Sequence, residues 1–335
     1  MRPFTLADIP PQPNRRVVIT GATGGIGLHT ALALAGAEFE VILTGRNDEK
    51  GAAALRLIRA AHPKARLRYE HLDLASLQSV AQFAQRYAAG HDSLDVLINN
   101  AGVMTPPTRQ VTADGFELQL GTNYLSHYAL TARLLPLLRK GEAARVVNVS
   151  SLAHKQLADI HFDDLQWQRG YKPWRAYAQS KLASLNFAFE LQRRSNAGDW
   201  GLMSNGAHPG YARTDLIANG PGEDSWFARL SARLLQPWTS HSAADGAMPT
   251  IYAAAAVQAA PSAYYGPRDM FELKGPVSEA KIGARALDEG IAARLWDVSA
   301  RLTGVSWPRT LIDTGTPARG ASHHEHGYAA SERTA

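Results

Sequence analysis

The 335-residue chain contains no cysteine. That excludes disulfides, thiolate nucleophiles and cysteine-ligated metals, and it suits a reducing compartment. Long hydrophobic runs are also missing. The longest alanine-rich stretch, Ile251 to Ala260, falls well short of the ~20 apolar residues that a spanning helix needs. Met1 to Asn14 carries four prolines and no apolar run, so it reads as an extension, neither a signal peptide nor an anchor. The cytoplasm is the expected location. No block of one charge sign marks a nucleic-acid surface: 35 Lys and Arg face 30 Asp and Glu, a net +5, and the basic residues are scattered. Such a mild positive field suits a phosphate-rich ligand. Neither an internal repeat nor an interdomain linker is present. At 45% hydrophobic and 19% charged residues, the composition is that of a globular protein able to close a ligand pocket.

What is present is an alternation of strands and helices. Arg16 to Thr20 is a β-branched run, read as a buried first strand. Gly21-Ala22-Thr23-Gly24-Gly25-Ile26-Gly27 follows, then an Ala/Leu-rich helix from Leu28 to Ala35. Glycines in that context permit a tight turn and let backbone N–H groups reach a pyrophosphate at the helix start. The spacing is Thr-Gly-x-x-x-Gly-x-Gly, not Gly-x-Gly-x-x-Gly. Strand two, Glu40 to Thr44, ends in Gly45-Arg46-Asn47. A carboxylate there would bind the ribose hydroxyl of NAD(H). The Arg46 guanidinium instead matches the 2′-phosphate of NADP(H), which is the expected cofactor.

The pattern continues with a helix over Asp48 to Ala61, strand three over Arg66 to Leu72, a helix over Ser76 to Ala89 and strand four over Leu94 to Ile98. Asp73, followed by Leu74, can accept a hydrogen bond from an adenine amino group or cap the next helix. After strand four, Asn99-Asn100-Ala101-Gly102 lets backbone pass close to a ligand. A long helix is expected from about Asp114 to Arg139, containing Asn123. Strand five, Arg145 to Val149, ends in Ser150-Ser151, and strand six, Leu202 to Ala207, ends in His208-Pro209-Gly210. The repeated β-α-β units predict an α/β, Rossmann-type, doubly wound parallel sheet in three α/β/α layers, with ligands at the carboxyl ends of its strands.

Tyr177 and Lys181 lie on a helix expected to run to about Ser195. Residues at i and i+4 share a helix face, so phenol and ammonium can enter one site. A cation there is expected to lower the tyrosine pKa and fit it for proton exchange with a substrate oxygen.

The ordered set Thr20-Gly21-x-x-x-Gly25-x-Gly27, Asn99-Asn100-Ala101-Gly102, Asn123, Ser150-Ser151, Tyr177-x-x-x-Lys181 and Pro209-Gly210-x-x-x-Thr214 resembles the short-chain dehydrogenase/reductase family. Asn148 to His154, Ile160 to Leu165 and Ala176 to Ala183 resemble its retinol-dehydrogenase-like branch, near WW-domain oxidoreductases and protochlorophyllide reductases. The resemblance implies Tyr177 as acid/base and Lys181 as ribose ligand and pKa modulator. It implies Ser151 as substrate-orienting hydroxyl and Asn123 as holder of a relay water. Gly21, Thr23, Gly25, Ile26, Gly27, Arg46, Asn47, Asp73, Leu74, Asn100, Ala101, Gly102, Pro209, Gly210 and Thr214, together with Tyr177 and Lys181, would line the cofactor. It implies an alcohol–carbonyl oxidoreductase, with C=C reduction or a catalytically silent nucleotide-binding regulator as alternatives. Relatives often dimerise through the helices carrying Asn123 and Tyr177, so a homo-oligomer is possible there.

After Thr214 the alternation is expected to stop. Trp226, Phe227, Leu230, Leu234 and Trp238 recur at helical spacing and suggest a substrate lid over about 215–240. His154, Trp174 and Trp226, with Ser151 and Tyr177, are the expected substrate contacts around a pocket for a bulky apolar carbonyl or alcohol. Helices are expected over Ser242 to Ala256 and Asp288 to Leu302. One domain over 15–308 precedes a tail, 309–335, read as disordered. His323, His324 and His326 in that tail read as solvated, with no metal expected.

Overall fold

The hydrophobic strand segments form one eight-stranded sheet in the order β3-β2-β1-β4-β5-β6-β7-β8. The computed structural model describes residues 2–211 and 242–314. Its strands are β1 Arg16–Ile19, β2 Glu40–Gly45, β3 Leu67–His71, β4 Val96–Asn99, β5 Arg145–Val149, β6 Met203–Ala207, β7 Tyr264–Asp269 and β8 Lys274–Glu279. All pairings are parallel except β7 with β8. Parallel strands buried on both faces explain the near-continuous apolar runs. Alternate residues then serve two cores. Val18, Ile42, Leu97 and Val146 face one layer, and Val17, Val41, Val96 and Val147 the other.

Helices α1 (Gly25–Gly36), α2 (Asp48–Ala61) and α7 (Ala243–Ala255) cover the second face. Helices α3 (Leu77–Gly90), α5 (Ser126–Leu138), α6 (Pro173–Ala197) and α8 (Glu289–Thr303) cover the first. Side-chain caps start several of them: Asn47 for α2, Ser76 for α3, Ser242 for α7 and Asp288 for α8. The strand order reverses between β1 and β4, which opens a crevice at the carboxyl edge there.

Three expectations are corrected. The helix expected from about Asp114 begins only at Leu118. Thr112 N and Phe116 O bond at 2.8 Å across a turn in which Gly115 has φ +83°, and Glu117 then caps the short α4 (Leu118–Leu120). A π turn, Gly121–Leu125, joins α4 to α5 and contains Asn123. The sheet also continues beyond the expected end of the alternation, through β7 and the antiparallel β8, whose Pro and Gly residues hide the strand pattern. Finally, the expected domain end at Pro308 is passed by a short helical turn, Leu311–Thr314, where Arg194 pairs with Asp313 at 2.6 Å. The lid region, with Thr214 and Trp226, lies outside the described residues, as do the three tail histidines.

Helix α8 lies on α6 and α5. Its Trp296 ring stands 5.1 Å from Tyr128, 5.8 Å from Phe187 and 4.3 Å from Trp307, with the Arg194 guanidinium 4.4 Å over its face. All of α5 except Arg133 and Pro136 is buried by the chain itself. Trp296→Ala should cost about 3–5 kcal/mol of unfolding free energy, read as a lowered denaturant midpoint. A loss under ~1 kcal/mol would mean that α8 is not part of the core.

Candidate active site

At the carboxyl end of β1 the chain turns so tightly that side chains have no room. Gly21 has φ +64°, and a Cβ on it would lie 2.9 Å from Ala101 Cα; one on Gly27 would lie 2.4 Å from Gly21 O. The loop delivers the start of α1 to a cleft of about 530 Å³. Gly21, Thr23, Gly25, Ile26, Gly27, Arg46, Asp73, Leu74, Asn100, Ala101, Gly102, Tyr177, Lys181 and Pro209 line this cleft together. Thr122 also lines it, and its buried Oγ1 has no partner. A cleft lined by a glycine turn, a helix start, an unpartnered hydroxyl and the cations Arg46 and Lys181 fits a dinucleotide.

Other expected residues sit elsewhere. Asn47 does not line the cleft; its Oδ1 accepts from Lys50 N at 2.8 Å and caps α2. Gly210 is also outside the lining, with φ +67° and a Cβ position 2.4 Å from Leu273 O. Asp73 borders the cleft, and its Oδ1 accepts from Ala75 N at 2.9 Å in the turn before α3, whose cap is Ser76 instead. Lys50 was missed. It stands one turn into the helix entered from Arg46 and lines the cleft beside it.

The first turns of α6 carry Tyr177 and Lys181, 5% and 4% exposed. Lys181 Nζ donates to Val149 O at 3.0 Å and lies 5.8 Å from the Tyr177 ring centroid. The ammonium is thus held against strand β5 rather than at the phenol oxygen. Burial pushes Tyr177 up to about 12, countered in part by the Ser151 side chain. Burial pushes Lys181 down to about 8. In the protein alone the Tyr177 pKa is thus raised, where a lowering by Lys181 was expected: burial is the largest cause, and the Ser151 side chain opposes it. Gly102 fills the gap between partners, since a Cβ there would lie 3.2 Å from Asn123 Oδ1 and 3.5 Å from Lys181 Nζ.

Asn123 is a clamp. Its Oδ1 accepts from Val103 N at 2.7 Å, and its Nδ2 donates to Val103 O and Ser180 Oγ, each at 2.9 Å. Ser151 Oγ accepts from Ala153 N at 3.2 Å and starts a 3₁₀ turn. His154 is buried, its Nδ1 donating to Ser151 O at 2.7 Å and its Nε2 accepting from Gly283 N at 3.1 Å. With both nitrogens engaged, it positions Ser151 instead of facing a ligand, contrary to its expected substrate contact. Trp174 is half-exposed, its ring 5.8 Å from that of Tyr177. Among the described residues no cluster of metal-ligating side chains occurs, and no helix is long and apolar enough to cross a membrane.

Lys181 carries a testable pH signature. A lysine whose folded pKa is lowered opposes folding fully below that value. The opposition fades as pH rises from about 8 towards the ordinary 10.5, because the unfolded chain then holds the extra proton. Lys181→Met should therefore be more stable than the parent at pH 7, with the advantage shrinking by pH 10. Thermal unfolding across that range checks it, and a constant difference would overturn it.

A family model for short chain dehydrogenases matches residues 15–223. Retinol dehydrogenase 13 of Homo sapiens is 40% identical over 299 residues, covering 88% of this chain and 86% of the relative. A crystal structure of a protein from Mycobacterium Paratuberculosis is 40% identical with a TM-score of 0.75, covering 92% of this chain and all (100%) of that one. A Shigella flexneri structure, described as a short chain dehydrogenase complexed with NADP, is 26% identical with a TM-score of 0.58, covering 76% and 96%. The glycine turn at the switch point, the Tyr177–Lys181 pair at its far end and these matches have one reading: the chain belongs to the short chain dehydrogenase family, in its retinol-dehydrogenase-like branch of alcohol–carbonyl oxidoreductases.

Proposed function

We propose that the protein is an NADP(H)-dependent oxidoreductase that interconverts a bulky, largely apolar alcohol with its ketone or aldehyde. The observation that carries this is the cleft itself, which has Arg46 and Lys50 at one end and Tyr177 and Lys181 at the other. Two cations where the second strand ends suit a 2′-phosphate. The similarity to a retinol dehydrogenase and to a structure complexed with NADP supports both halves of the reading.

The nicotinamide supplies or receives the hydride when bound. The protein's own residues do the rest. Tyr177, whose pKa burial raises, gives its phenolic proton to a carbonyl oxygen in reduction and, as the phenolate, takes the alcohol's proton in oxidation. Ser151 donates a hydrogen bond to the same oxygen and orients it. Lys181 holds a ribose hydroxyl and supplies the replacement proton. Asn123 keeps the Gly102–Val103 backbone in place against Lys181. Trp174 offers apolar surface beside the phenol.

Following the absorbance of reduced nicotinamide with apolar aldehydes and ketones tests the proposal. Turnover with NADPH should fall ~10²–10⁴-fold in Tyr177→Phe. Binding of NADPH without turnover of any carbonyl would point instead to a nucleotide-binding regulator. Lys50→Ala should weaken NADPH binding ~10-fold and leave NADH unchanged, since a charge-assisted contact is worth ~1.5–3 kcal/mol. Equal effects on both cofactors would refute the 2′-phosphate assignment.

A further inference from the structure

A buried histidine, used by none of the steps above, joins the two clamps that shape the cleft wall. The stretch Asn100–Val103 forms that wall. At one end Thr20 Oγ1 accepts from Asn100 N at 2.9 Å and Ala101 N at 3.0 Å. At the other end Asn123 holds both the N–H and the C=O of Val103. His127, 3% exposed and one turn beyond Asn123, touches both holders. Its Nε2 is 2.8 Å from Thr20 Oγ1 and its Nδ1 is 2.9 Å from Asn123 O.

The hydrogens can be assigned by elimination. A carbonyl only accepts, so Nδ1 carries the proton. In a neutral ring Nε2 then only accepts, so the Thr20 hydroxyl donates to it. Thr20 Oγ1 already accepts two N–H groups, and its single hydrogen faces two acceptors, Nε2 at 2.8 Å and Ile98 O at 3.3 Å, of which the shorter contact is the stronger. A protonated ring would set a third donor against that oxygen. Burial, opposed only in part by the Asn123 bond, pushes the His127 pKa down to about 4 and keeps the neutral form.

We propose that His127 is a positioning residue that couples cofactor affinity, through Thr20, to the Asn123–Lys181 end of the site. Each nitrogen serves one clamp, so the two functions can be separated. A shorter amide at this position places its N–H₂ where Nδ1 stands and leaves Thr20 only the longer contact with Ile98 O, at 3.3 Å. A longer one places its amide where Nε2 stands and leaves Asn123 O to Ser184 Oγ, at 3.3 Å.

The proposal takes from the preceding section only that the cleft holds a nicotinamide cofactor, not the substrate class. Calorimetric titration with NADPH, which needs no substrate, tests the Thr20 end. His127→Asn should raise the Kd ~10-fold while kcat at saturating NADPH stays within ~3-fold. His127→Gln should show the reverse split: Kd within ~3-fold and kcat lowered ~10-fold. Changes in both variants that track only a lowered Tm, with no crossed split, would reduce His127 to a packing role and overturn the proposal. Long-range ¹H–¹⁵N spectra of the cofactor-free protein give an independent arm. They should show a fixed Nδ1–H tautomer for His127; an Nε2–H form or a mixture refutes the assignment. If the parent protein binds no NADPH, the cofactor reading fails, and the tautomer still decides whether the bridge exists.

Discussion

The site rests on one close approach, that of the β1–α1 turn to the end of β4. Gly21 lies so near Ala101, and Gly27 so near Gly21 O, that any side chain would separate them. Thr20 turns this proximity into hydrogen bonds by accepting two backbone N–H groups from the neighbouring strand end. Asn100 returns the contact, its Nδ2 donating to Thr20 O at 2.7 Å. The crevice is therefore not a gap left between helices. Two adjacent strands build it, because a reversal of sheet order requires their connections to leave on opposite sides.

Chemistry at the far end is set by burial. Tyr177 and Lys181 are desolvated together, and each is driven towards its neutral form. The lysine remains satisfied through Val149 O, a backbone acceptor that no substitution removes. A neutral-leaning pair of this kind responds strongly to any charge brought into the cleft, since low local dielectric amplifies the interaction. Rigid surroundings keep the geometry fixed. Ser150 Oγ donates to Lys181 O at 2.7 Å, and Ser180 Oγ links Tyr177 O to Asn123 Nδ2. The covering helix α8, with the Trp296 and Trp307 rings, braces the other side of α6.

Much of this was legible in order along the chain. Apolar and β-branched runs marked the strands of the first half, and β5 begins and ends where its Arg145–Val149 run does. The Asp48–Ala61 helix was equally clear, and its bounds are those the structure gives it. Less legible were β7 and β8. They are held by their sheet neighbours, β7 by Gly206 and Ala207 on β6 and β8 by β7, not by local propensity. The π turn at Asn123 left no pattern either, since it depends on contacts with Val103 and Ser180 that lie 20 and 57 residues away.

By itself the sequence determined which residue types would meet: a glycine turn, Arg46 after the second strand, and Tyr177 four residues before Lys181. Those assignments rest on local spacing, and local spacing is what a sequence contains. The tertiary structure alone decided the electrostatics and the bridges. It turned the expected low pKa of Tyr177 into a high one, since desolvation is a property of everything packed around the phenol. It gave both His154 nitrogens to backbone groups and set His127 between Thr20 and Asn123. Contacts between residues 107 positions apart, as in that last bridge, follow from how the sheet is wound and not from any neighbouring residue in the chain.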